Sequence, residues 1–226
     1  QTCSLPICFA FHGYGRTHSD CRSGDCAGFQ SVMEDEAILV YMKSFTEGWE
    51  QSAVRDKNAE FFEGVLDLIE AEFCVDERRV FVAGTSSGAS FTNVLACRFG
   101  DRLLAAAPVA GSLPENQDCK GHPAMALIHG IDDPHVTFAS GEAARDFFLE
   151  RNGCESTTVP DLATVHAEIR ASRDIDETNQ KCVDYQGCEP GQPVRWCEHS
   201  QGGYDDSTHG WPTAGGQLIW DFVKTL

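Results

Sequence analysis

One short motif in the sequence has the spacing of a catalytic nucleophile. Residues 84–88 read Gly-Thr-Ser-Ser-Gly, a Gly-x-Ser-x-Gly pattern centred on Ser86. The motif follows an apolar, β-branched run at residues 79–83 and precedes a helix-like stretch at residues 87–98. A strand that turns sharply into a helix at such a motif exposes the serine hydroxyl above the sheet, and the small neighbours prevent a clash. The pattern therefore predicts a serine nucleophile, which requires a histidine, an acid and an oxyanion hole.

The motif alone does not establish this chemistry, because the chain contains 21 glycines and chance can supply the pattern. The alternative is a glycine-rich turn whose serine only caps the following helix. Partner residues decide between the two. Residues 12–15, His-Gly-Tyr-Gly, follow the first apolar run, where an enzyme with such a nucleophile places one oxyanion-hole amide. We expect the backbone amides of Tyr14 and Ser87 to form this hole.

Candidate acids and bases follow in the required order. Residues 129–136 come after a later apolar run and contain Asp132 and Asp133, either of which is able to orient a histidine. His199 and His209 lie in the last long loop, where a Ser–Asp–His order places the base. His209 is favoured, because tryptophan and proline follow it closely and stiffen its loop.

Short apolar runs alternate with helical patterns along the chain. Strands are predicted at residues 7–11, 37–42, 79–83, 104–109, 124–129, 164–169 and 193–196, and helices at 58–73, 87–98, 141–151 and 217–225. Asp56 is a candidate cap for the first of these helices. The alternation indicates an α/β fold, in which a mostly parallel sheet carries helices on both faces, in a single domain over residues 1–226. Active sites collect at the carboxyl ends of such strands, where the candidate residues lie.

The composition limits the expected partners and cofactors. The net charge of −18 argues against nucleic acid and anionic membranes as partners. The 11 cysteines show no Cys-x-x-Cys spacing, which favours disulfides in a secreted or periplasmic protein over a metal site. Cys21 and Cys26 are candidates for a small local loop, and the odd total leaves at least one thiol without a partner in the chain. We expect a monomer with no metal and no organic cofactor.

Five segments in order resemble the exported α/β-hydrolase esterases of the polyhydroxybutyrate depolymerase, feruloyl esterase and acetylxylan esterase group. They are residues 5–15, 74–88, 107–111, 129–133 and 209–212. The His-Gly-x-x-Asp segment matches the family's acid loop and selects Asp133. The His-x-Trp-Pro segment matches its histidine loop and selects His209. That family has a strand pair before its first matching strand, whereas this sequence begins almost at that strand. We therefore expect an α/β-hydrolase sheet that lacks the pair, the alternative being that the pair was removed or lies elsewhere. No long insertion follows the fifth predicted strand, so no cap domain is expected.

The resemblance also implies disulfide bonds. It suggests a bond between Cys154 and Cys188, which joins the helix after the acid loop to the strands before the histidine loop. A second suggested bond joins Cys74 and Cys97, which flank the strand and the helix of the serine motif.

The activity implied by the resemblance is that of a secreted serine esterase acting through an acyl-enzyme. Ser86 is the expected nucleophile, His209 the base and Asp133 the orienting acid. Feruloyl or acetyl groups on plant polysaccharide are the first expected substrates, with Trp49 and Trp211 as candidate contacts for an aromatic acyl group. A short-chain polyester of the polyhydroxybutyrate type is the alternative substrate. A non-catalytic hydrolase fold used for binding is the alternative of another class, and the filled triad positions argue against it.

Overall fold

The computed structural model describes residues 5–49, 52–113, 118–171, 180–200 and 208–226. The strands of this part of the chain are β1 (Leu5–Phe11), β2 (Ile38–Tyr41), β3 (Val75–Thr85), β4 (Ala105–Val109), β5 (Ala124–Gly130), β6 (Thr158–Val159), β7 (Gln180–Tyr185) and β8 (Val194–His199). The helices are α1 (His18–Ser23), α2 (Phe29–Met33), α3 (Ser52–Glu72), α4 (Ser87–Arg98), α5 (Phe138–Arg151), α6 (Leu162–Ala171) and α7 (Gly215–Lys224), and a 3-10 turn spans Cys26–Gly28. Among these helices, none has both the length and the apolar content to cross a bilayer.

The described strands form one sheet in the order β2-β1-β3-β4-β5-β8-β7-β6. The neighbouring pairs from β2 to β8 are parallel, whereas β7 and β6 extend the β8 side in antiparallel orientation. Every residue of β4 and β5 is buried, because helices cover the central parallel strands on both faces. Strand β3 lies inside the sheet between β1 and β4. Its carboxyl end is at the edge where ligand sites of such sheets form.

Side chains of the strands alternate between two apolar layers, one on each face of the sheet. In β1, Ile7 and Phe9 belong to one layer while Cys8 and Ala10 belong to the other. Helices α3, α4, α5 and α6 pack on the first layer, and α2 and α7 pack on the second. Each fully buried Phe or Leu in these layers stabilises the fold by about 1.5–3 kcal/mol. The arrangement confirms the predicted α/β-hydrolase fold, and no separate cap domain stands over the part of the sheet described here.

The predicted strand at residues 164–169 is wrong, because these residues lie in α6. Val165 and Ile169 are both buried and share one helical face four positions apart. The Asp161 carboxylate accepts hydrogen bonds from the amide (2.9 Å) and the hydroxyl (2.8 Å) of Thr164, and so satisfies an amide of the first turn. The stabilisation from burying this helical face and from the Asp161 cap is larger than the preference of β-branched residues for strands.

Helix α3 begins at Ser52, earlier than the predicted start at residue 58. Asp56 therefore lies inside the helix instead of capping it, and its carboxylate forms an ion pair with Arg98 of α4 (2.7 Å). Periodicity does not predict α1, α2 or β6, because elements this short contain too few periodic positions. It does not predict β7 because the sequence Gln-Lys-Cys-Val-Asp-Tyr contains no apolar run.

Four disulfide bonds lie wholly within the described residues: Cys21–Cys26, Cys97–Cys119, Cys154–Cys188 and Cys182–Cys197. The first and third confirm predictions. The last joins residues that face each other across β7 and β8, so it fastens the antiparallel extension to the parallel sheet.

The predicted Cys74–Cys97 bond is wrong. Cys97 pairs with Cys119, because the chain after Cys119 runs beside the end of α4 and the Lys120 amide donates to the Cys97 carbonyl (2.6 Å). Cys74 is disulfide-bonded elsewhere. Cys8 is the free cysteine of the described residues. It lies in the core, and burial raises the pKa of its thiol.

Candidate active site

The turn between β3 and α4 holds Ser86 in a conformation that non-glycine residues rarely adopt. Its backbone angles are φ 56° and ψ −121°, which cost about 1–3 kcal/mol in a residue with a side chain. The Ser86 amide donates to the Val109 carbonyl (2.9 Å), and the Ser86 carbonyl accepts from the Ala89 amide (2.9 Å). The Ser86 side chain forms no cap hydrogen bond, which contradicts the alternative that this serine only caps the helix.

The two glycines of the motif are required by close packing. A Cβ on Gly84 would lie 2.4 Å from the Gly88 carbonyl oxygen. A Cβ on Gly88 would lie 2.4 Å from the carbonyl oxygen of Phe11 and 2.6 Å from that of His12. All three distances are too short for a real contact, so a larger residue at Gly88 would push α4 away from the end of β1. The glycines thus bring the serine turn against the loop that follows β1.

His209 is hydrogen-bonded to the buried carboxylate of Asp133. The His209 Nδ1 atom lies 2.8 Å from Oδ2 and 3.0 Å from Oδ1 of Asp133, whose side chain is 0% exposed. The amides of His135 (2.8 Å) and Val136 (2.9 Å) also donate to this carboxylate. Burial raises the pKa of Asp133, but the hydrogen bonds from His209 and the two amides outweigh it, and the net pKa lies below the ordinary value. Asp133 is therefore ionised at neutral pH.

The alternative acid and base, Asp132 and His199, are not part of this hydrogen-bonded pair. Asp132 is exposed beside Asp133, and His199 is a buried residue of β8. His129, at the end of β5, lies behind Asp133 with its Nε2 atom 2.9 Å from the Val136 carbonyl oxygen. Burial lowers the pKa of His129, so this histidine is neutral and donates to the acid loop. It supports the acid loop from behind Asp133.

A cavity of about 440 Å³ brings Ser86 and His209 together. Both residues line it, along with Tyr14, and Asp133 lies behind His209. His135 also lines the cavity and packs edge-on against the His209 ring, with 4.9 Å between the ring centroids. Sequence reasoning missed His135, although its position two residues after Asp133 is a usable signal.

The loop after β1 forms the opposite wall of this cavity. A Cβ on Gly13 would lie 3.6 Å from the Ser86 Cβ, so the backbone of the loop passes beside the serine. The loop is anchored to Glu47, which accepts from the Tyr14 hydroxyl (2.8 Å) through its carboxylate and from the Gly15 amide (2.8 Å) through its carbonyl. Ser87 is the first residue of α4, where amide groups point out of the helix end.

Trp49 and Trp211, the predicted substrate contacts, are not among the residues that line the cavity. Trp49 is 0% exposed, and its indole stacks on Phe91 in the core. Trp211 is buried and packs edge-on against Phe29. Trp49 has a supporting role instead: its amide donates to the Ser87 hydroxyl (2.9 Å). Apolar burial of these large rings outweighs any gain from exposing them to a ligand.

Comparison with curated proteins finds esterases, although no protein-family model matches the chain. The chain is 26% identical over 227 residues to a probable feruloyl esterase C of Aspergillus terreus, covering 96% of this chain and 76% of that protein. It is 28% identical over 166 residues to feruloyl esterase D of Neurospora crassa, covering 72% of this chain and 52% of that protein.

Solved structures share the fold at low sequence identity. An acetyl xylan esterase from Aspergillus awamori superposes with a TM-score of 0.67 and 14% identity, covering 99% of this chain and 90% of that one. Esterase PE8 superposes with a TM-score of 0.64 and 17% identity, covering 98% of this chain and 93% of that one. The curated relatives support a carboxylic ester hydrolase, and the solved structures share its α/β-hydrolase fold.

Proposed function

We propose that the chain cleaves carboxylic esters through an acyl-enzyme formed on Ser86, as one catalytic domain. The observation that carries the proposal is the shared cavity: Ser86 sits on a strained turn, and His209, held by the buried Asp133 carboxylate, lines the same space. A nucleophile, a base and an orienting acid in this relation constitute the triad of serine hydrolases.

The proton path follows from the hydrogen bonds of His209. Its Nδ1–H donates to Asp133, so the neutral ring presents Nε2 as an acceptor. Ser86 Oγ attacks the ester carbonyl while Nε2 takes the hydroxyl proton, and the imidazolium then returns this proton to the departing alcohol. Water attacks the acyl-enzyme in the second half, with His209 again acting first as base and then as acid, which regenerates Ser86.

The negative charge of the tetrahedral intermediates needs fixed donors. We assign this role to the backbone amides of Tyr14 and Ser87. Support comes from the loop around Gly13, which passes beside Ser86, and from the position of Ser87 at the start of α4. One such donor contributes about 3–4 kcal/mol to transition-state stabilisation in other hydrolases.

The proposed substrates are hydroxycinnamoyl or acetyl esters on plant polysaccharide. Relatives named feruloyl esterase and a structural neighbour named acetyl xylan esterase support this choice. The proposed location is outside the cytoplasm, since the described residues hold four disulfide bonds and such bonds persist in oxidising compartments.

Active-site labelling tests the nucleophile directly. A fluorophosphonate probe is expected to label the wild-type protein on the peptide that contains Ser86, and Ser86→Ala is expected to abolish both labelling and hydrolysis of p-nitrophenyl acetate. Ser90→Ala is the matched control, because it removes a buried hydroxyl from α4, the helix that follows Ser86, and keeps Ser86 intact. Undiminished labelling or turnover in Ser86→Ala would overturn the proposal. A panel of methyl ferulate, acetylated xylan and polyhydroxybutyrate then ranks the substrates.

A further inference from the structure

Exposed aromatic side chains continue from the wall of the Ser86 cavity onto the outer surface of the protein. Tyr14 lines the cavity and is 58% exposed. Its hydroxyl donates to the Glu47 carboxylate (2.8 Å), and Phe45, two residues before Glu47, is 60% exposed. The Phe45 ring packs edge-on against Phe61 of α3, with 5.6 Å between the ring centroids, and Phe61 is also exposed. We call the surface of Tyr14, Phe45 and Phe61 the aromatic rim.

Hydrogen bonds fix the loop that carries Phe45 at both of its ends. At the start of the loop, the Phe45 amide donates to the side-chain oxygen of Asn58 in α3 (3.2 Å). At the far end, the Trp49 amide donates to the hydroxyl of Ser87, the residue after the proposed nucleophile (2.9 Å). The aromatic rim therefore keeps a set position relative to the nucleophile turn, and a ligand that stacks on it pays little to order the loop.

Helix α3 extends the aromatic rim with a flat strip of surface. Gly64 lies three residues after Phe61 and hence on the same side of the helix, where it is exposed. A Cβ on Gly64 would meet no atom of the described residues within 4 Å, so packing does not require glycine here. Glycine nevertheless makes a helix less stable than alanine does. Its small size leaves the helix backbone open beside the Phe61 ring, where an extended chain is able to lie.

The chemistry of the aromatic rim distinguishes between kinds of partner. Its rings offer apolar surface, and the Glu47 carboxylate beside them accepts hydrogen bonds. A polysaccharide matches both, since each sugar has a C–H face and hydroxyl donors. A polyester has acceptor oxygens and no donor for Glu47, so covering this carboxylate with it would cost free energy. The net charge of −18 opposes an anionic membrane and a second copy of this chain.

We propose that the aromatic rim and the strip at Gly64 bind the neutral polysaccharide chain that carries the ester. The inference rests on the proposed function, because it takes a polysaccharide-linked ester as the substrate of Ser86. A small ester engages the cavity alone, whereas a polymer engages the cavity and the rim together, so that binding at one raises the effective concentration at the other. The rim therefore lowers KM for polymer-linked esters and does not change turnover of small ones.

Single substitutions on the aromatic rim test this assignment. Phe45→Ala and Phe61→Ala are each expected to raise KM for feruloylated arabinoxylan by roughly twofold to tenfold, the worth of one aromatic stacking contact. The kcat/KM for methyl ferulate is expected to equal that of the wild type. Phe73→Ala is the matched control, because Phe73 is 61% exposed and follows the other end of α3. An unchanged KM for the polymer in both rim variants, or an equal rise in Phe73→Ala, overturns the assignment.

Gly64→Gln separates docking from folding. The new side chain projects from an open helix surface, and glutamine favours a helix more than glycine does, so the melting temperature is expected to stay the same or rise. The same side chain covers the strip beside Phe61, so KM for feruloylated arabinoxylan is expected to rise severalfold. Gly64→Ala is the control, since a methyl group leaves most of the strip open. An unchanged KM in Gly64→Gln would overturn the path of the polymer over α3.

Binding to the inactive Ser86→Ala variant gives a readout without turnover. Electrophoresis in a gel that contains arabinoxylan is expected to retard this variant, and the addition of Phe45→Ala is expected to remove most of the retardation. Equal retardation of both proteins would overturn the inference. Adsorption to polyhydroxybutyrate granules without retardation by arabinoxylan would assign the surface to a polyester instead, and a dimer that Phe45→Ala dissociates would assign it to a second copy.

The two levels of the proposal fail in different ways. If Ser86→Ala abolishes turnover of methyl ferulate while Phe45→Ala and Phe61→Ala hydrolyse the polymer as the wild type does, the proposed function stands and the docking surface fails. If Ser86→Ala retains turnover, the proposed function itself fails.

Discussion

At two places in this molecule a histidine pairs with a buried carboxylate in almost the same geometry. His209 Nδ1 lies 2.8 Å from Asp133, and His166 Nδ1 lies 2.7 Å from Glu198. The Asp133 and Glu198 side chains are 0% and 2% exposed. By distance and burial alone, either pair qualifies as the orienting acid and base of a triad.

The pairs differ in what surrounds the histidine. The Nε2 atom of His166 accepts a hydrogen bond from the Arg170 guanidinium (2.6 Å), and Glu198 also accepts from the Trp196 indole (2.9 Å). His209 instead lines the cavity that holds Ser86. A carboxylate–imidazole pair acts as a base only where its second nitrogen meets a reacting atom, so we propose this role for the His209 pair and not for the His166 pair.

The largest expected effect comes from removing each histidine in turn. His209→Ala is expected to lower kcat/KM for p-nitrophenyl acetate by about 10⁴–10⁶-fold, as loss of the base does in other serine hydrolases. His166→Ala is expected to keep the rate near that of the wild type and to lower the melting temperature. Similar losses of activity in the two variants would remove the distinction between the pairs.

The second test exchanges each carboxylate for its amide. Asp133→Asn is expected to reduce kcat by about 10³–10⁴-fold, because the amide favours the wrong tautomer of His209. Glu198→Gln is expected to retain kcat and to reduce the free energy of unfolding by about 1–3 kcal/mol, measured by urea denaturation. An Asp133→Asn enzyme with normal kcat would show that the acid has been misassigned.

A third effect concerns acid stability. Burial lowers the folded-state pKa of His129 below 6.5, so its contribution to stability is present above pH 6.5 and is lost as the pH falls below it. The lowered pKa of Asp133 adds stability above about pH 3.8 that is lost as the pH falls through the folded-state value. We expect His129→Asn to flatten the decline in unfolding free energy between pH 7 and about pH 5. Part of the slope remains, because His12 is buried in the same way.

In this experiment, urea titrations at several pH values on the wild type and His129→Asn give the slopes. Parallel slopes in the two proteins would show that His129 is protonated equally in the folded and unfolded chains.

The smallest expected effect comes from Arg170, which donates a hydrogen bond to His166. Arg170→Gln removes the guanidinium from His166, and we expect a stability change below about 1 kcal/mol because this pair lies near the surface. The reaction of His166 with diethyl pyrocarbonate, followed by peptide mapping, is expected to become faster. An unchanged rate of modification would mean that Arg170 does not shield the imidazole.

The sequence predicts the nucleophile turn well, because its signals are local. The bounds of α4 agree with the prediction, and the strand run, the glycines and the serine all constrain the same few residues. The choice of Asp133 over Asp132 came from the family resemblance, and the structure places Asp133 behind His209. The catalytic roles themselves remain predictions until the variants are measured.

Long-range packing explains what the sequence does not predict. Trp49 reads as a ring available to a ligand, yet the path of its loop puts the indole under Phe91. Cys97 reads as a partner for Cys74, yet the return of the chain beside α4 gives it Cys119. Both outcomes depend on where distant segments meet, which neither periodicity nor spacing encodes.

Trp49 connects the nucleophile turn to the loop after β1 by hydrogen bonds to both. Its amide donates to the Ser87 hydroxyl and its indole donates to the His12 carbonyl, both at 2.9 Å, while Asn58 of α3 donates to its carbonyl (3.1 Å). For an engineer, Trp49 therefore belongs to the fixed part of the site, because changes there would alter the spacing between the nucleophile and the opposing loop for every substrate.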